Sequence, residues 1–278
     1  MTTLPVALVQ TRTPASPEAA FAHVEPLIRE AAAGGAKLIL TPEATNFVVK
    51  DRERRQAVLT TVERDAAVGK LRALAEELGV WLMIGSAIVR SGVEGDARAA
   101  NRSLLVDDAG RIVAAYDKLH VYDVDLPTGE SWRESASIRP GDAAVVADAP
   151  WGRLGLTVCY DLRFPQLFRA LAKAGAMMIA VPSAFTVPTG EAHWETLLRA
   201  RAIETGCFIL APAQGGAHED GRRTWGRSMV VGPWGEVVAK LDHDAPGVLF
   251  AGLDLDAVAR ARQAVPQLTH DRDFATPA

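Results

Sequence analysis

The stretch AKLILTPEA at residues 36–44 recurs in altered form as AMMIAVPSA at residues 176–184. Two further matches follow in the same order in both halves, LRALAEELG (71–79) with LRARAIETG (198–206) and RSLLVDDAGRIVA (102–114) with RSMVVGPWGEVVA (227–239). A single short match is weak evidence, whereas three ordered matches rarely arise by chance. We therefore expect a chain built from two similar halves.

Each half has the pattern of strand, helix, strand, helix, strand and hairpin. In the first half, strands are predicted over 6–11, 38–41, 80–89, 101–106 and 111–116, and helices between Ser16 and Gly34 and over 65–78. The helices are predicted from apolar residues at helical spacing and from capping residues, and the last two strands from the turn sequence between them.

Alternating strands and helices with added hairpins predict mixed sheets covered by helices. Two such halves packed sheet against sheet give a four-layer α-β-β-α sandwich with internal pseudo-duplication. We expect a single domain over residues 1–278, because the halves would share a core and no Pro/Gly/Ser-rich linker separates them. Its core is predicted to span about residues 4–266, followed by an extended tail over 267–278.

Composition excludes several classes of function. The net charge of −4 argues against a nucleic-acid-binding surface. No apolar run reaches the roughly 20 residues that span a bilayer, and the N-terminus lacks the pattern of a signal peptide. The six histidines show no metal-ligand spacing, and two cysteines cannot form a disulfide framework. The arginines of the stretch 51–55 alternate with acids, which favours a solvated face. A cytoplasmic, metal-free protein is expected.

Cys159 has the surroundings of a nucleophile. The apolar run Leu154–Val158 predicts a buried strand, and Pro165 opens a predicted helix that reaches about residue 174. A thiol at this turn would lie near free backbone N–H groups and the positive end of a helix dipole, which favour the thiolate. The alternative is a small buried core thiol, since free cysteine is among the most buried residue types.

Two charged residues also follow predicted strands. Glu43 comes after residues 38–42 and Lys118 after the strand that ends at Tyr116. Ligand sites collect at the carboxyl ends of strands in α/β sheets, so Glu43, Lys118 and Cys159 could meet there. Glu43 would then be a general base and Lys118 would stabilise a tetrahedral intermediate. Taken singly, a surface Glu and a Lys in an exposed loop remain the common interpretations.

At these residues the chain resembles the nitrilase (carbon–nitrogen hydrolase) superfamily. The similar motifs are PEA (42–44), DKLH (117–120) and VCYDLRFP (158–165), and the resemblance runs from Pro5 to about Pro266. It implies an α-β-β-α fold and a triad without metal or organic cofactor, with Glu43 as base, Lys118 as intermediate stabiliser and Cys159 as nucleophile. Glu134 matches a further carboxylate that orients Lys118 or the substrate.

Within the superfamily, residues 182–204 are similar to the branch that holds deaminated-glutathione amidase and omega-amidase, and AQGGAH (213–218) favours the former. The resemblance therefore implies a thiol amidase for a small carboxylate-bearing amide, releasing 2-oxoglutarate and cysteinylglycine through a thioester. Gln166, Arg227 and Gly232 depart from the usual pattern of this branch, and none of them is a residue of the triad.

Five residues are expected to bind the substrate: Tyr160, Arg163, Phe185, Thr186 and His193. Arg163 lies four residues beyond the nucleophile, and a guanidinium binds a carboxylate through two parallel hydrogen bonds. Arg199 and Arg201 are further candidates, although each could instead pair with a nearby acid.

Several alternatives stay open at this point. They are an omega-amidase acting on 2-oxoglutaramate, a non-catalytic binding or scaffold relative, a redox sensor based on Cys159, and a Cys–His pair with His120 or His193. Trp194 is expected in the core or at a subunit contact, and Cys207 in the core. Apolar residues of 164–171 and 194–203 favour a homodimer or a dimer of dimers, because closed two-fold dimers are the commonest oligomers.

Overall fold

The computed structural model describes residues 3–127 and 129–275. One six-stranded sheet has the order β16-β1-β2-β3-β4-β5. Its strands β1, β2 and β3 are parallel to one another, and β16, β4 and β5 are each antiparallel to the strand they pair with on the side of this trio. The strands are β1 (Thr3–Gln10), β2 (Leu38–Leu40), β3 (Trp81–Arg90), β4 (Ala99–Val106), β5 (Ile112–Asp117) and β16 (Gly247–Asp254).

The second six-stranded sheet has the order β15-β14-β11-β10-β9-β8. Its strands are β8 (Val145–Ala149), β9 (Gly152–Leu156), β10 (Ala176–Ala180), β11 (Phe208–Ala211), β14 (Met229–Val231) and β15 (Val237–Lys240). Here too a parallel trio is continued by an antiparallel hairpin on one side and by a single antiparallel strand on the other. The two sheets thus have the same order, as the sequence repeat predicted.

The strand residues alternate between two cores. In β1, Val6 and Leu8 belong to the cluster that includes Leu156 and Met178 of the second sheet. Ala7 and Val9 belong instead to the cluster that includes the apolar faces of two helices. Successive strand residues point to opposite faces, so one strand serves both the sheet–sheet and the sheet–helix interface.

Helices form the outer layers. The described α-helices are α1 (Pro17–Ala33), α2 (Arg52–Val58), α3 (Ala66–Leu78), α4 (Pro165–Lys173), α5 (Val187–Thr205) and α6 (Asp256–Ala264), and four of them, α1, α3, α4 and α5, form these layers. Helices α1 and α3 pack on the first sheet, and α4 and α5 on the second. Gly79 ends α3 and Gly206 ends α5 in the left-handed conformation, which extends the duplication to the helix caps. The predicted four-layer sandwich is confirmed.

Four features of the structure differ from the sequence expectations. The short helix α2 and the hairpins β6–β7 (Asp123–Asp125 and Ser131–Arg133) and β12–β13 (Gly215–Ala217 and Arg223–Trp225) were not predicted. Residues 267–269 of the tail form a 3₁₀ turn, and Asp271 pairs with Arg169 and Lys173 of α4. The last three residues of the predicted tail lie outside the described residues. Within the described part of the chain, no helix is long and apolar enough to cross a membrane.

Candidate active site

Both sheets contribute to one cavity of about 400 Å³. Glu43 follows β2 and Lys118 follows β5 of the first sheet, whereas Cys159 follows β9 of the second. All three side chains are nearly buried, with exposed fractions of 6%, 2% and 8%. They line the cavity together with Glu134. The structure therefore brings together the three strand-end residues that the sequence singled out.

The loop that carries Glu43 is held by β3. A bulge in β3 falls between Ile84 and Ala87, and Ser86 Oγ there accepts a hydrogen bond of 2.8 Å from the backbone N–H of Ala44. The carbonyl of Glu43 accepts a second one of 2.9 Å from Gln214 Nε2, a residue of the other half. Bulges commonly re-aim side chains next to active sites, and this one fixes the chain on which the carboxylate is mounted.

The turn that carries Cys159 is held by Asp161. Cys159 has a φ of 51°, in the left-handed region that non-glycine residues rarely adopt. The fully buried Asp161 carboxylate accepts hydrogen bonds from the backbone N–H of Val158 (2.8 Å) and from Tyr116 Oη (2.7 Å). It also accepts one of 3.0 Å from the backbone N–H of His120. Asp161 thus links the nucleophile turn to the segment that bears Lys118.

Lys118 lies between two carboxylates. Its Nζ is 3.0 Å from Glu43 Oε1 and 2.9 Å from Glu134 Oε2. Asn101 Nδ2 donates to the same Glu43 oxygen at 2.8 Å, and Glu134 also accepts a 2.6 Å hydrogen bond from the backbone N–H of Tyr122. Glu134 therefore lies where it can orient the ammonium group, which is the placement its sequence match implied.

The neighbouring charges in this cluster set the protonation states of Glu43 and Lys118. Burial opposes ionisation of Glu43, but the Lys118 charge and hydrogen bonds from Cys159, Lys118 and Asn101 outweigh it and lower its pKa. Burial likewise opposes the charge on Lys118, yet Glu134 and Glu43 raise its pKa well above the ordinary value. At neutral pH the site therefore holds an ionised Glu43 carboxylate beside the charged Lys118 ammonium group.

The thiol of Cys159 departs from the sequence expectation of a stabilised thiolate. Burial first, and the Glu43 charge second, raise its pKa well above the usual value, and the opposing effect of Lys118 is smaller. The turn fixes the position of the thiol but does not favour the thiolate, and an ionised carboxylate lies next to the thiol. Glu43 is that carboxylate.

Four of the five expected substrate residues line the cavity: Tyr160, Arg163, Phe185 and Thr186. The Arg163 guanidinium lies 5.4 Å from the Phe185 ring centroid and 5.9 Å from that of Tyr160. His193 does not line the cavity, because it lies on the exposed face of α5. It contacts the site only through its Nδ1, which is 3.3 Å from Arg163 Nη1.

The remaining candidates from the sequence contact other parts of the protein and do not line the cavity. Arg199 donates to the carbonyl of Gly235, and the buried Arg201 donates to that of Leu162 and pairs with Glu204. His120 is 2.7 Å from Asp161 and stacks on Phe164. Neither His120 nor His193 lines the cavity, so no Cys–His pair forms. Trp194 is buried against Phe185, and Cys207 is fully buried, as predicted.

Several cavity residues were missed from the sequence. Asn101 and Gln214 contact Glu43, and both are polar residues within otherwise apolar segments, which was the available signal. Arg52 and Arg55 also line the cavity, and Arg55 is half-buried, so the expectation of a solvated face fails for it. Within the described residues, no group of His, Cys, Asp and Glu side chains is arranged to hold a metal ion.

The sequence profile of the carbon-nitrogen hydrolase family matches residues 5–263. The chain belongs to this family. A Yersinia enterocolitica relative named deaminated glutathione amidase is 42% identical over 96% of this chain and 92% of its own length. Such similarity over nearly the whole chain confirms the resemblance on which the triad was assigned.

Two solved structures share this carbon-nitrogen hydrolase fold. The Caenorhabditis elegans NitFhit protein has a TM-score of 0.89 and 36% identity, with 97% of this chain and 65% of that chain covered. An amidase from Nesterenkonia sp. AN1, in a form with acrylamide added to its active site cysteine, has a TM-score of 0.77 and 30% identity, with 95% and 98% covered.

Proposed function

We propose that this chain is a cofactor-free amidase that hydrolyses deaminated glutathione to 2-oxoglutarate and cysteinylglycine through a thioester on Cys159. The observation that carries the proposal is the meeting of a buried thiol, a carboxylate and a charged ammonium group at one cavity. A thiol next to a base is the usual arrangement for nucleophilic acyl transfer.

Acylation follows from the charge states. Glu43, ionised because of its lowered pKa, takes the proton of Cys159, and the sulfur attacks the amide carbonyl carbon. Negative charge then develops on the carbonyl oxygen, and Lys118 stabilises it from a fixed position between its two carboxylates. Glu43 returns the proton to the leaving nitrogen, the C–N bond breaks, and the acyl group remains on Cys159.

Deacylation uses the same groups. Glu43 takes a proton from water, and the resulting hydroxide attacks the thioester carbonyl while Lys118 again stabilises the oxyanion. The C–S bond breaks, the carboxylate product leaves, and the proton on Glu43 passes to the Cys159 sulfur. Glu134 takes no part in proton transfer and positions the Lys118 ammonium group, which it holds at 2.9–3.0 Å.

The substrate part of the proposal is supported by two observations. The similar protein of Yersinia enterocolitica carries the name deaminated glutathione amidase. Arg163 lies in the cavity wall and has no carboxylate partner among the described residues, so it can bind the 2-oxo acid end of the substrate.

A panel of deaminated glutathione, 2-oxoglutaramate and a simple nitrile tests the substrate, with release of peptide, ammonia or acid as readout. We expect the highest kcat/KM for deaminated glutathione. A higher value for 2-oxoglutaramate would make the chain an omega-amidase, and failure on every amide would favour a binding or redox role.

We also propose that the protein is cytoplasmic and acts as a homodimer or a dimer of dimers, without nucleic-acid or membrane partners. Two free cysteines and no disulfide in the described residues suit a reducing compartment. The dimer does not rest on three of the apolar residues first considered, because Leu167, Phe168 and Leu198 are buried within the protomer. It rests on exposed Ile203 and Trp234, which are 51% and 63% exposed.

A further inference from the structure

The cavity has cationic groups in two separate places. Arg163 lies against Tyr160 and Phe185, as described above. Elsewhere, Lys50 Nζ and the Arg222 guanidinium carbon each lie 5.7 Å from the Trp132 ring centroid. Arg55 lines the same cavity beside Arg222. We call Lys50, Arg55, Trp132 and Arg222 the Trp132 wall.

The Trp132 wall carries uncompensated positive charge. Arg222 pairs with Asp220 at 3.0 Å, but Arg55 and Lys50 have no ion pair within the described residues. Burial first, and then the charges of Arg222 and Arg52, lower the pKa of Arg55. Arg55 is thus held near two other arginines with no carboxylate in ion-pair contact with it among the described residues, and a bound anion would offset this repulsion. This part of the cavity wall is therefore suited to a negatively charged group.

Unpartnered hydrogen-bonding atoms face the same space. Three buried side-chain atoms of the described residues lack a partner, namely Asn101 Oδ1, Tyr122 Oη and His218 Nδ1, and all three residues line this cavity. His218 is 6% exposed and its Nε2 lies 2.8 Å from Thr224 Oγ1. Buried polar groups normally find partners, so these atoms indicate that a polar ligand completes the cavity.

We propose that the Trp132 wall binds the terminal carboxylate of the amine half of the substrate, so that the enzyme selects amides whose leaving group is an acidic peptide. The inference rests on the proposed function, because Arg163 is assigned to the acid of the acyl half. When the scissile carbonyl carbon lies at Cys159 and the acyl half binds Arg163, the amine half is the part of the substrate that remains to contact the Trp132 wall. Amides that release ammonia have no group to place there.

Binding to a Cys159→Ala protein tests this without turnover. The two ligands are deaminated glutathione and the same molecule with its terminal glycine carboxylate converted to an amide. The Cys159→Ala protein without a further substitution, called the parent, should bind deaminated glutathione, called the acid, at least about tenfold more tightly than the amide. Hydrogen bonds to charged groups have effects of this size. Arg55→Gln should reduce that preference to less than about threefold, mainly by weakening binding of the acid. Arg54→Gln is the control, because Arg54 lies on the same helix but is exposed and outside the cavity.

Equal weakening of both ligands by Arg55→Gln, an unchanged preference, or no preference in the parent would overturn the assignment. If Arg55→Gln does not fold, as judged by circular dichroism, Arg222→Gln takes its place with the same expected result. The proposed function is judged separately, by wild-type turnover. A wild-type protein that binds the acid selectively but does not hydrolyse it would contradict the amidase proposal and leave the subsite standing.

Discussion

At the scale of single residues, Glu43 has two demands placed on it. As the proposed general base it must be ionised to take the thiol proton, yet it lies in a buried site where ionisation is unfavourable. Lys118 at 3.0 Å and Asn101 at 2.8 Å resolve this conflict, since both favour the carboxylate. The raised pKa of the Cys159 thiol makes that base necessary.

Glu43→Gln should therefore lower kcat by at least about a hundredfold, the usual scale for loss of a general base. The amide keeps the shape of the side chain but cannot accept the proton. Steady-state kinetics on deaminated glutathione, with circular dichroism to verify folding, is the measurement. A variant that works near the wild-type rate would remove Glu43 from the mechanism.

His218 gives a second prediction at this scale. Burial first, and then the Arg222 charge, lower its pKa from 6.5 to about 4. Above pH 6.5 the folded and unfolded states are both neutral at this residue. As the pH falls from 6.5 to about 4, only the unfolded state gains the proton, so the folded state loses stability.

The wild type should lose on the order of 3 kcal/mol more stability than His218→Gln between pH 7.5 and 4, from 1.36 kcal/mol for each pKa unit. Urea unfolding at a series of pH values measures this difference. His270→Gln, at an exposed residue of the tail, is the control and should follow the wild type. Parallel pH curves for His218→Gln and wild type would contradict the assigned protonation state.

At the scale of elements, β3 holds the two sheets in the arrangement the site needs. Gly85 lies in its bulge, and a Cβ added there would be 1.8 Å from the Thr41 carbonyl oxygen and 2.6 Å from Pro182 Cβ. Thr41 precedes Glu43 by two residues, and the Pro182 carbonyl accepts the backbone N–H of Cys159 at 2.9 Å. A side chain at Gly85 would thus push apart Thr41 and Pro182, which hold the backbone on which Glu43 and Cys159 are carried.

Gly85→Ala should destabilise the protein by about 1–3 kcal/mol, as overpacking does, and should lower kcat even where the protein is folded. Gly69→Ala is the matched substitution, because Gly69 is an exposed residue of α3 with nothing within 4 Å of an added Cβ. It should stabilise the protein by about 0.5–1 kcal/mol. Thermal unfolding and kinetics compare the two, and equal effects would show that the close approach at Gly85 is unimportant.

The elements also show what sequence can predict. Strands such as β1 and β3 were placed to within three residues, because a strand that serves two cores has a continuous apolar pattern. The hairpins β6–β7 and β12–β13 were missed because their strands have three residues each and are largely polar. These hairpins are held in place by tertiary contacts around the cavity, and such contacts cannot be read from the local pattern of apolar and polar residues.

The same contrast holds for the site. Glu43, Lys118 and Cys159 each follow a strand, so their meeting could be predicted from topology and family motifs. The raised pKa of Cys159 could not, since it depends on how deeply the turn is buried. Nor could the sequence show that Arg163, and not Arg201, is available to bind the substrate. Only the structure shows that Arg201 donates to the Leu162 carbonyl and pairs with Glu204.

At the scale of the whole molecule, the proposed dimer leads to a test of the surface. Ile203 and Trp234 lie close together, since Ile203 approaches Gly235, the neighbour of Trp234. Ile203→Glu should weaken a dimer that buries this surface, because it places a charge among apolar side chains. Light scattering at micromolar concentration should show a dimer for wild type and more monomer for the variant.

Val113→Glu is the control for that experiment, because Val113 is 44% exposed on β5 of the other sheet. It should leave the mass of the wild type unchanged. A wild-type protein that is monomeric throughout would refute the dimer, and a greater effect of Val113→Glu would move the interface to the first sheet.

The whole account depends on Cys159 as the nucleophile of amide hydrolysis. The measurement that tests this most directly is the release of cysteinylglycine from deaminated glutathione by wild type and by Cys159→Ala, each verified as folded. We predict steady release by the wild type and a loss of at least about a hundredfold in the variant. Release by Cys159→Ala at a rate near that of the wild type would contradict the central claim.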